Sequence, residues 1–525
     1  MAKVIVGIDL GTTFSAIAYI NELTQTAEII VSPEQERTTA SAVLFKDEGG
    51  VEVGELAKRN AMFEPDKVVE FVKREMGKSK DVEVSAGGWS FEFSGKKYSA
   101  QEISAYILKK LKNDAEVRLG MPITDAVITC PAYFGDAERS ATKEAGIIAG
   151  FNVLAIIDEP VAAALAYGLD KIERDQTVFV FDLGGGTFDV VVLEIKGRRI
   201  REIAVNGNYR KGGKDWDDEI VNYAAGLFTE KFGVDPTEDP SSHVALRLEA
   251  VKAKIELSWL TKAIFICSHA GNTLHVELTR EKFEELTKTL VDDCQTLCEI
   301  VLREANKRWH DIDTVLLVGG STRMPMIKKM IAAHSGKIPN EDLNPDECVA
   351  QGAAWHGAML GVSSGDVTGE VAKMLSGISV GKVTSHNYGA VAERRRDGVM
   401  RNFLMIPKFT AVPCEKTEEF RTREDDQRSI ELKVMEGGTM EEDDTCDPTN
   451  CENIGKVVLD NLPSHPKGSP IQITYRWDES ATLVVNVKDV VSGKAITASF
   501  ERPSGLSKQE LNQARTDLQT VNVTA

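Results

Sequence analysis

One short pattern occurs twice in this chain, and it constrains the fold more than any other feature. IDLGTTF at residues 8–14 returns as FDLGGGTF at residues 181–188. Each copy follows an apolar, β-branched run, ends that run in an aspartate (Asp9, Asp182) and continues into glycines and threonine. Two copies of strand, aspartate, Gly-rich turn and threonine imply a duplicated half-domain. Glycines let backbone N–H groups approach phosphate oxygens, hydroxyls add donors, and an aspartate can face a divalent cation or its water ligands. A single turn of this kind is common without any ligand. Two of them describe a clamp on a polyphosphate and Mg²⁺, with Asp9, Gly11, Thr12 and Thr13 from one half and Asp182, Gly184, Gly185, Gly186 and Thr187 from the other.

Around these copies the texture is mixed. Short strands such as DAVITC and TVLLVGG alternate with stretches such as SAQEISAYILKKLKNDAEVRL and REKFEELTKTLVDDCQTLCEIVLREANKRW, whose apolar spacing is that of amphipathic helices. Residues 1–366 are therefore an α/β region. After a turn-rich stretch the strands RSIELKVMEGG, GKVVLDNLP, PIQITYRW, ATLVVNVKDVVSGK and AITASFE follow one another with polar turns, which predicts an antiparallel sandwich over 379–503. The intervening 367–378 reads as a linker, and 504–525 as a short helical tail. At ~150 residues per domain, 525 residues accommodate this organisation.

The net charge of −19 argues against a partner held by neutralising its phosphates, so no nucleic acid is expected. The N-terminus lacks the uninterrupted apolar core of a signal peptide, and no run approaches a membrane span, so no membrane is expected either. Eight cysteines in a chain this long predict a cytoplasmic protein with reduced thiols. Cys446 and Cys451, in DTCDPTNC, are the one pair spaced for a disulfide or metal, and two thiols in a polar loop is the simpler reading.

Two more glycine clusters stand out. VLLVGGSTRMP at 315–325 offers Gly319 and Gly320 for flat approach of a ring or phosphate and Arg323 for stacking on a base; a tight strand-to-helix turn explains it equally well. GNYRKGGKDWDDE at 207–219 adds Gly212 and Gly213.

IDLGTTFSAIAYI, VITCPAYFGDAERSATKEAGIIAGFNVLAIIDEPVAAALAYGLD, FDLGGGTFDV, LLVGGSTRMPMI and NPDECVAQGAA resemble, in order and spacing, the nucleotide-binding domain of the heat-shock 70-kilodalton (DnaK-like) chaperone family. MIPKFTAVP, RSIELKVMEGG, IGKVVLDNLP and GLSKQEL resemble its β-sandwich peptide-binding domain more loosely, as far as residue 511. The resemblance implies an actin-like, two-lobed ATPase followed by a β-sandwich. It further implies ATP/ADP and Mg²⁺ as ligands, unfolded polypeptides as partners, and a J-domain co-chaperone and a nucleotide exchange factor as regulators.

Carried onto this sequence, it assigns Asp9, Thr12, Thr13, Asp182, Gly184, Gly185, Thr187 and Asp189 to phosphates, Mg²⁺ and attacking water, with Asp9 and Asp182 reaching the metal through water. Lys73 matches the catalytic lysine, which would offset charge growing in the transition state. Alone it would read as a solvated helix charge. Glu159 matches a carboxylate near metal and water; alone it reads as a helix N-terminal acid before Pro160. Lys254 and Ser258 match adenosine contacts, while Gly319, Gly320, Ser321, Arg323 and Asp346 match the base and ribose pocket. Ile430 and Leu432 match the apolar pocket for an extended peptide; without the resemblance they are strand core.

The chain also departs from the family. Ile255 stands where an arginine stacks on adenine, Lys214 replaces an acid, Asp158 an asparagine and Ala155 an arginine. The leucine-rich linker reads GEVAKMLSGISVG, so that burying Lys373 on docking would cost desolvation free energy. The basic loop 384–401 and the acidic insertion EEDD at 441–444 both read as solvated loops, with acidic clients for Arg394, Arg395 and Arg396 as the alternative. The residues after Ser504 are too few for the family's helical lid, which predicts an uncovered groove. Two other readings stay open: a pseudo-chaperone that binds ATP and regulates a true chaperone, and a metabolic kinase of the same superfamily, which would need an acceptor base and no sandwich.

Overall fold

The computed structural model describes residues 3–524 apart from 170, 173, 442, 478–481 and 501–505. Each copy of the repeated pattern is a β-hairpin. Ile5–Asp9 pairs antiparallel with Phe14–Asn21, and Gln176–Leu183 with Phe188–Lys196. Each hairpin's first strand also takes a parallel neighbour, Asp125–Cys130 in one half and Thr314–Val318 in the other. Strands in such a position are covered on both faces and are largely apolar, as residues 126–128 and 178–181 are.

The helices Glu159–Gly168 and Cys348–Ser364 lie between the two sheets. One buried cluster runs from Val127 and Ile157 of the first half through Val161, Ala162 and Ala353 to Val180 and Val191 of the second. The approach is close enough to require glycine: a Cβ on Gly352 would sit 1.7 Å from the Ala162 carbonyl oxygen, and one on Gly7 2.0 Å from the Ala354 nitrogen.

The sandwich is antiparallel throughout. Thr445–Cys446, Met400–Ile406, Tyr388–Glu393, Ile430–Gly437 and Cys451–Leu459 form one sheet; Cys414–Arg421, Pro470–Trp477, Leu483–Asp489 and Ala495–Phe500 form the other. Alternation is clean in PIQITYRW, where Ile471, Ile473, Tyr475 and Trp477 turn inward.

Several sequence expectations change. The long periodic stretch after Arg280 is two helices, Arg280–Leu286 and Lys288–Glu304, broken where the Thr287 hydroxyl turns back to the Phe283 carbonyl. The segment read as a linker forms the helix Gly369–Leu375, with Val371 and Leu375 buried against the helix Cys348–Ser364. Lys373 stays 75% exposed and pairs with Glu370, so the expected desolvation cost does not arise. Ser379–Val383, expected to open the sandwich, instead extends the second ATPase sheet, parallel to Arg199–Asn208.

The basic loop and the acidic insertion satisfy each other: Arg394 and Arg396 both reach Asp443, and Arg401 pairs with Glu441. Arg394 and Arg396 therefore meet an acid of the chain itself before any acidic client. Residue 442 of that insertion, and 501–505 at the start of the tail, lie outside the described residues. The tail helix, Lys508–Thr520, opens on a Ser507/Glu510 capping box and buries Ala514 and Leu518 in the first ATPase lobe rather than over the sandwich. Val523 and Thr524 then pair parallel with Val51 and Glu52. Among the described residues no helix is long and apolar enough to cross a membrane.

Candidate functional site

The two hairpin turns meet tip to tip. A Cβ on Gly185 would fall 1.7 Å from the Thr13 hydroxyl, and one on Gly186 2.3 Å from the Thr12 methyl. Only glycine lets the second turn press against the first, which explains Gly185 and Gly186. A hydrogen bond holds each turn: Gly11 N–H donates to the Ser15 side-chain Oγ, and Gly184 N–H to the Thr187 carbonyl. Gly213 N–H and the Ser321 hydroxyl both donate to the Gly184 carbonyl, which ties the 212–213 and 319–323 clusters to the second turn.

Between the turns lies a cavity of about 370 Å³. Most of the expected residues line it: Asp9, Gly11, Thr12, Thr13, Lys73, Glu159, Asp182, Gly184, Gly185, Thr187, Lys254, Ser258, Gly319, Gly320, Ser321, Arg323 and Asp346. Four do not. Gly186, Gly212 and Gly213 stand behind the wall, where their missing side chains allow the turns to nest. Asp189 is also one layer back; its two oxygens accept from the Ala132 and Tyr133 N–H groups, so it braces the loop after Asp125–Cys130. In the sandwich, Leu432 belongs to the buried core and Ile430 packs at its rim.

The floor is charged and buried. Lys73 lies in the short turn Val72–Glu75 and Glu159 begins the helix Glu159–Gly168; their side chains are 5% and 8% exposed and meet at 2.5 Å. Burial and the Glu159 carboxylate push the Asp9 carboxyl up to about 7, against the pull of Lys73 and a 3.2 Å bond from the Thr129 hydroxyl. Asp182 is held well above the usual carboxylate range by the same burial and by Glu159, Asp189 and Asp9. Burial works against the Lys73 ammonium, but Glu159 and Asp9 outweigh it and raise its pKa.

Sequence reasoning named Lys254, Ile255 and Ser258 but missed their neighbours Val251 and Trp259 in the lining. Val251, Lys254, Ile255, Ser258 and Trp259 recur at helical spacing and form one face of Pro240–Trp259 along the cavity. Ile255 and Trp259 on that face are 56% and 74% exposed, a signal the spacing alone could have supplied. At the mouth, Arg247 of this helix pairs with Glu70 and lies 5.0 Å from the Phe71 ring, while Arg74 joins the Gly186 carbonyl to Asp215. These cross-lobe contacts connect segments far apart in sequence and carry no local pattern. Lys254 is held by Asp217 and by the Gly213 carbonyl, and Arg323 by Asp346 at 2.6 Å.

An anionic, metal-bearing ligand fits this floor. The Thr13 hydroxyl is buried without a protein partner, and the carboxylates of Asp9, Asp182 and Glu159 outnumber the Lys73 ammonium among them. A divalent cation between these acids and phosphate oxygens would relieve the crowding that raises Asp9 and Asp182.

The Hsp70 protein family profile matches residues 5–524. The chain is 42% identical over 518 residues to the chaperone protein DnaK of Thermosipho melanesiensis, covering 97% of this chain and 82% of that one. It is 41% identical over 524 residues, with the same coverage, to the chaperone protein DnaK of Thermotoga maritima. With interlocked turns, a charged floor and an appended sandwich, the chain belongs to the Hsp70 family.

Proposed function

We propose that this chain is an ATP-dependent chaperone in which residues 1–366 bind and hydrolyse ATP, 367–378 couple the parts, and 379–503 bind extended polypeptide. The observation that carries the reading is the meeting of the two turns over one cavity floored by Lys73, Glu159, Asp9 and Asp182.

In this reading the unpaired Thr13 hydroxyl and the backbone N–H groups of both turns grip phosphate oxygens. Lys73 places positive charge where the terminal phosphate gains negative charge in the transition state. Glu159, fixed by Lys73 at 2.5 Å, orients the attacking water. Thr187, at the far end of the second turn, closes that turn through its carbonyl bond to Gly184. Asp9 and Asp182 would hold Mg²⁺ through water, and the bound ion would neutralise phosphate charge. The slot between the 251–259 helix face and Gly319–Arg323 receives the nucleoside, with Ile255 in apolar contact with the base.

The sandwich takes an extended peptide, its apolar anchor at Ile430. The burial of Val371 and Leu375, and the seating of Ser379–Val383 in the ATPase sheet, give nucleotide state a physical route to the sandwich. That packing favours a working linker over the pseudo-chaperone reading. A J-domain co-chaperone and a nucleotide exchange factor complete the cycle, and eight free thiols support a cytoplasmic location.

Single-turnover ATP hydrolysis with and without an unfolded apolar peptide tests the proposal. Peptide should raise the rate severalfold. An enzyme that never turns over ATP, or one whose rate ignores peptide at saturation, would overturn it.

A further inference from the structure

Cys446 and Cys451, which flank the polar loop DTCDPTNC, take no part in the nucleotide or peptide site. They lie on strands that do not pair with each other: Cys446 faces Asn402 in one ladder and Cys451 faces Gly437 in another. The two ladders nevertheless bring the sulfurs to 3.2 Å, and the Asn402 amide donates to both. Space is made by Gly438, where a Cβ would lie 2.6 and 2.7 Å from the two sulfurs. Cys446 is buried and Cys451 half-buried, so one thiol is reachable and the other stands behind it.

The surroundings give the pair a consequence. Asn387 clasps the same turn twice, accepting from Gly437 N–H and donating to the Gly438 carbonyl. The adjoining His386 ring lies 5.1 Å from Tyr133 of the ATPase domain, and the adjoining Glu436 would come within 3.1 Å of a Cβ on Gly135. The dithiol thus sits directly behind a contact between the sandwich and the ATPase domain. A bridge over a loop this short constrains the unfolded chain less than a long-range bridge would, so a role in stability is the weaker explanation.

We propose that Cys446 and Cys451 form a reversible disulfide site through which a small disulfide oxidant, of the glutathione disulfide class, alters the docking of sandwich on ATPase domain. Cys451 thiolate attacks the oxidant, forming a mixed disulfide and releasing one glutathione thiolate. Cys446 thiolate then attacks Cys451 Sγ and expels the second. Two protein S–H bonds are lost and one S–S bond forms; two electrons and two protons leave with two reduced glutathiones. Burial and the hydrogen bond with Cys446 push the Cys451 thiol up to about 12, which holds back its attack on the oxidant.

The test treats the reduced full chain with glutathione disulfide and follows intact mass, a peptide map and fluorescent-peptide release in ATP and in ADP. Expected are loss of two hydrogens, a Cys446–Cys451 cross-link reversed by dithiothreitol, and at least a twofold change in the ATP/ADP release ratio on oxidation. Cys446→Ser should stop at one glutathione on Cys451, and Gly438→Ala should cross-link more slowly. A cross-link elsewhere, or glutathione retained on Cys451 of the parent, overturns the site. A correct cross-link with an unchanged release ratio overturns the coupling. The release readout rests on the chaperone reading, whereas the mass readout does not, so reduced protein that binds no peptide would overturn that reading alone. Because the parent chain carries the main test, misfolding of a variant cannot mask the answer.

Discussion

Removing the Lys73 ammonium should damage fold and chemistry by separable amounts. Lys73 and Glu159 are buried partners at 2.5 Å, and Lys73 also lowers the pKa of Asp9 and of Asp182. Two unit charges ~4 Å apart at an effective dielectric of ~20 interact by ~4 kcal/mol. Truncating one member of a buried pair costs ~3–5 kcal/mol, because the other charge is stranded. Glu159 can escape part of this by taking a proton, so Lys73→Ala is expected to lose ~3 kcal/mol in the nucleotide-free ATPase domain. Adding Glu159→Gln deletes the stranded charge, and the double variant should recover most of that loss. Hydrolysis should not recover: losing one preorganised charge at the reacting phosphate lowers the rate by ~10²–10³, and glutamine restores no cation. Urea denaturation of the nucleotide-free proteins gives the first quantity and single-turnover hydrolysis the second. Additive losses of stability across the cycle would refute the pairing argument. Recovery of hydrolysis together with stability would show that Lys73 serves the fold and not the phosphate.

Gly352→Ala should cost ~3 kcal/mol or more by forcing the helix Cys348–Ser364 off the Ala162 carbonyl, read as a fall in Tm; an unchanged Tm would refute the close crossing. Leu375→Asp should shrink the ATP/ADP difference in peptide release, whereas Lys373→Leu should leave it unchanged because Lys373 is exposed; stopped-flow release of a fluorescent peptide separates them. Ile430→Asp should weaken peptide binding about tenfold or more by anisotropy, while Leu432→Asp, placing a charge in the sandwich core, should unfold that domain by circular dichroism. A carboxyl whose folded pKa is raised destabilises the fold progressively from its unfolded value up to the folded one, and by a constant amount above. With Asp9 pushed up to about 7, Asp9→Asn should gain stability on its parent by up to ~1.4 kcal/mol per pH unit between pH 5 and 7 and level off above, measured by urea midpoints.

What the sequence determined by itself is local. PIQITYRW alternates every second residue, Ser99 and Glu102 cap Ala100–Leu119, and each Asp-Gly-Thr turn follows its strand, because these patterns complete themselves within one element. The duplication also implied that the two turns would come together, and the family motifs named most of the residues that line the cavity between them. Partners across space were decided only by tertiary packing. Nothing near Lys73 points to Glu159, nothing near Arg394 points to Asp443, and the strand Ser379–Val383 reads equally well as sandwich or as ATPase edge until Arg199–Asn208 offers it hydrogen bonds. Helix phase put Val371 and Leu375 inward and Lys373 outward, a choice invisible until the face of Cys348–Ser364 exists to pack against. The tail helix likewise shows an apolar stripe in sequence but not which surface covers it. Local preferences are set by neighbours a few bonds away, whereas these contacts form only after long loops have closed, and which of several chemically equal partners is met depends on the geometry of the closed chain.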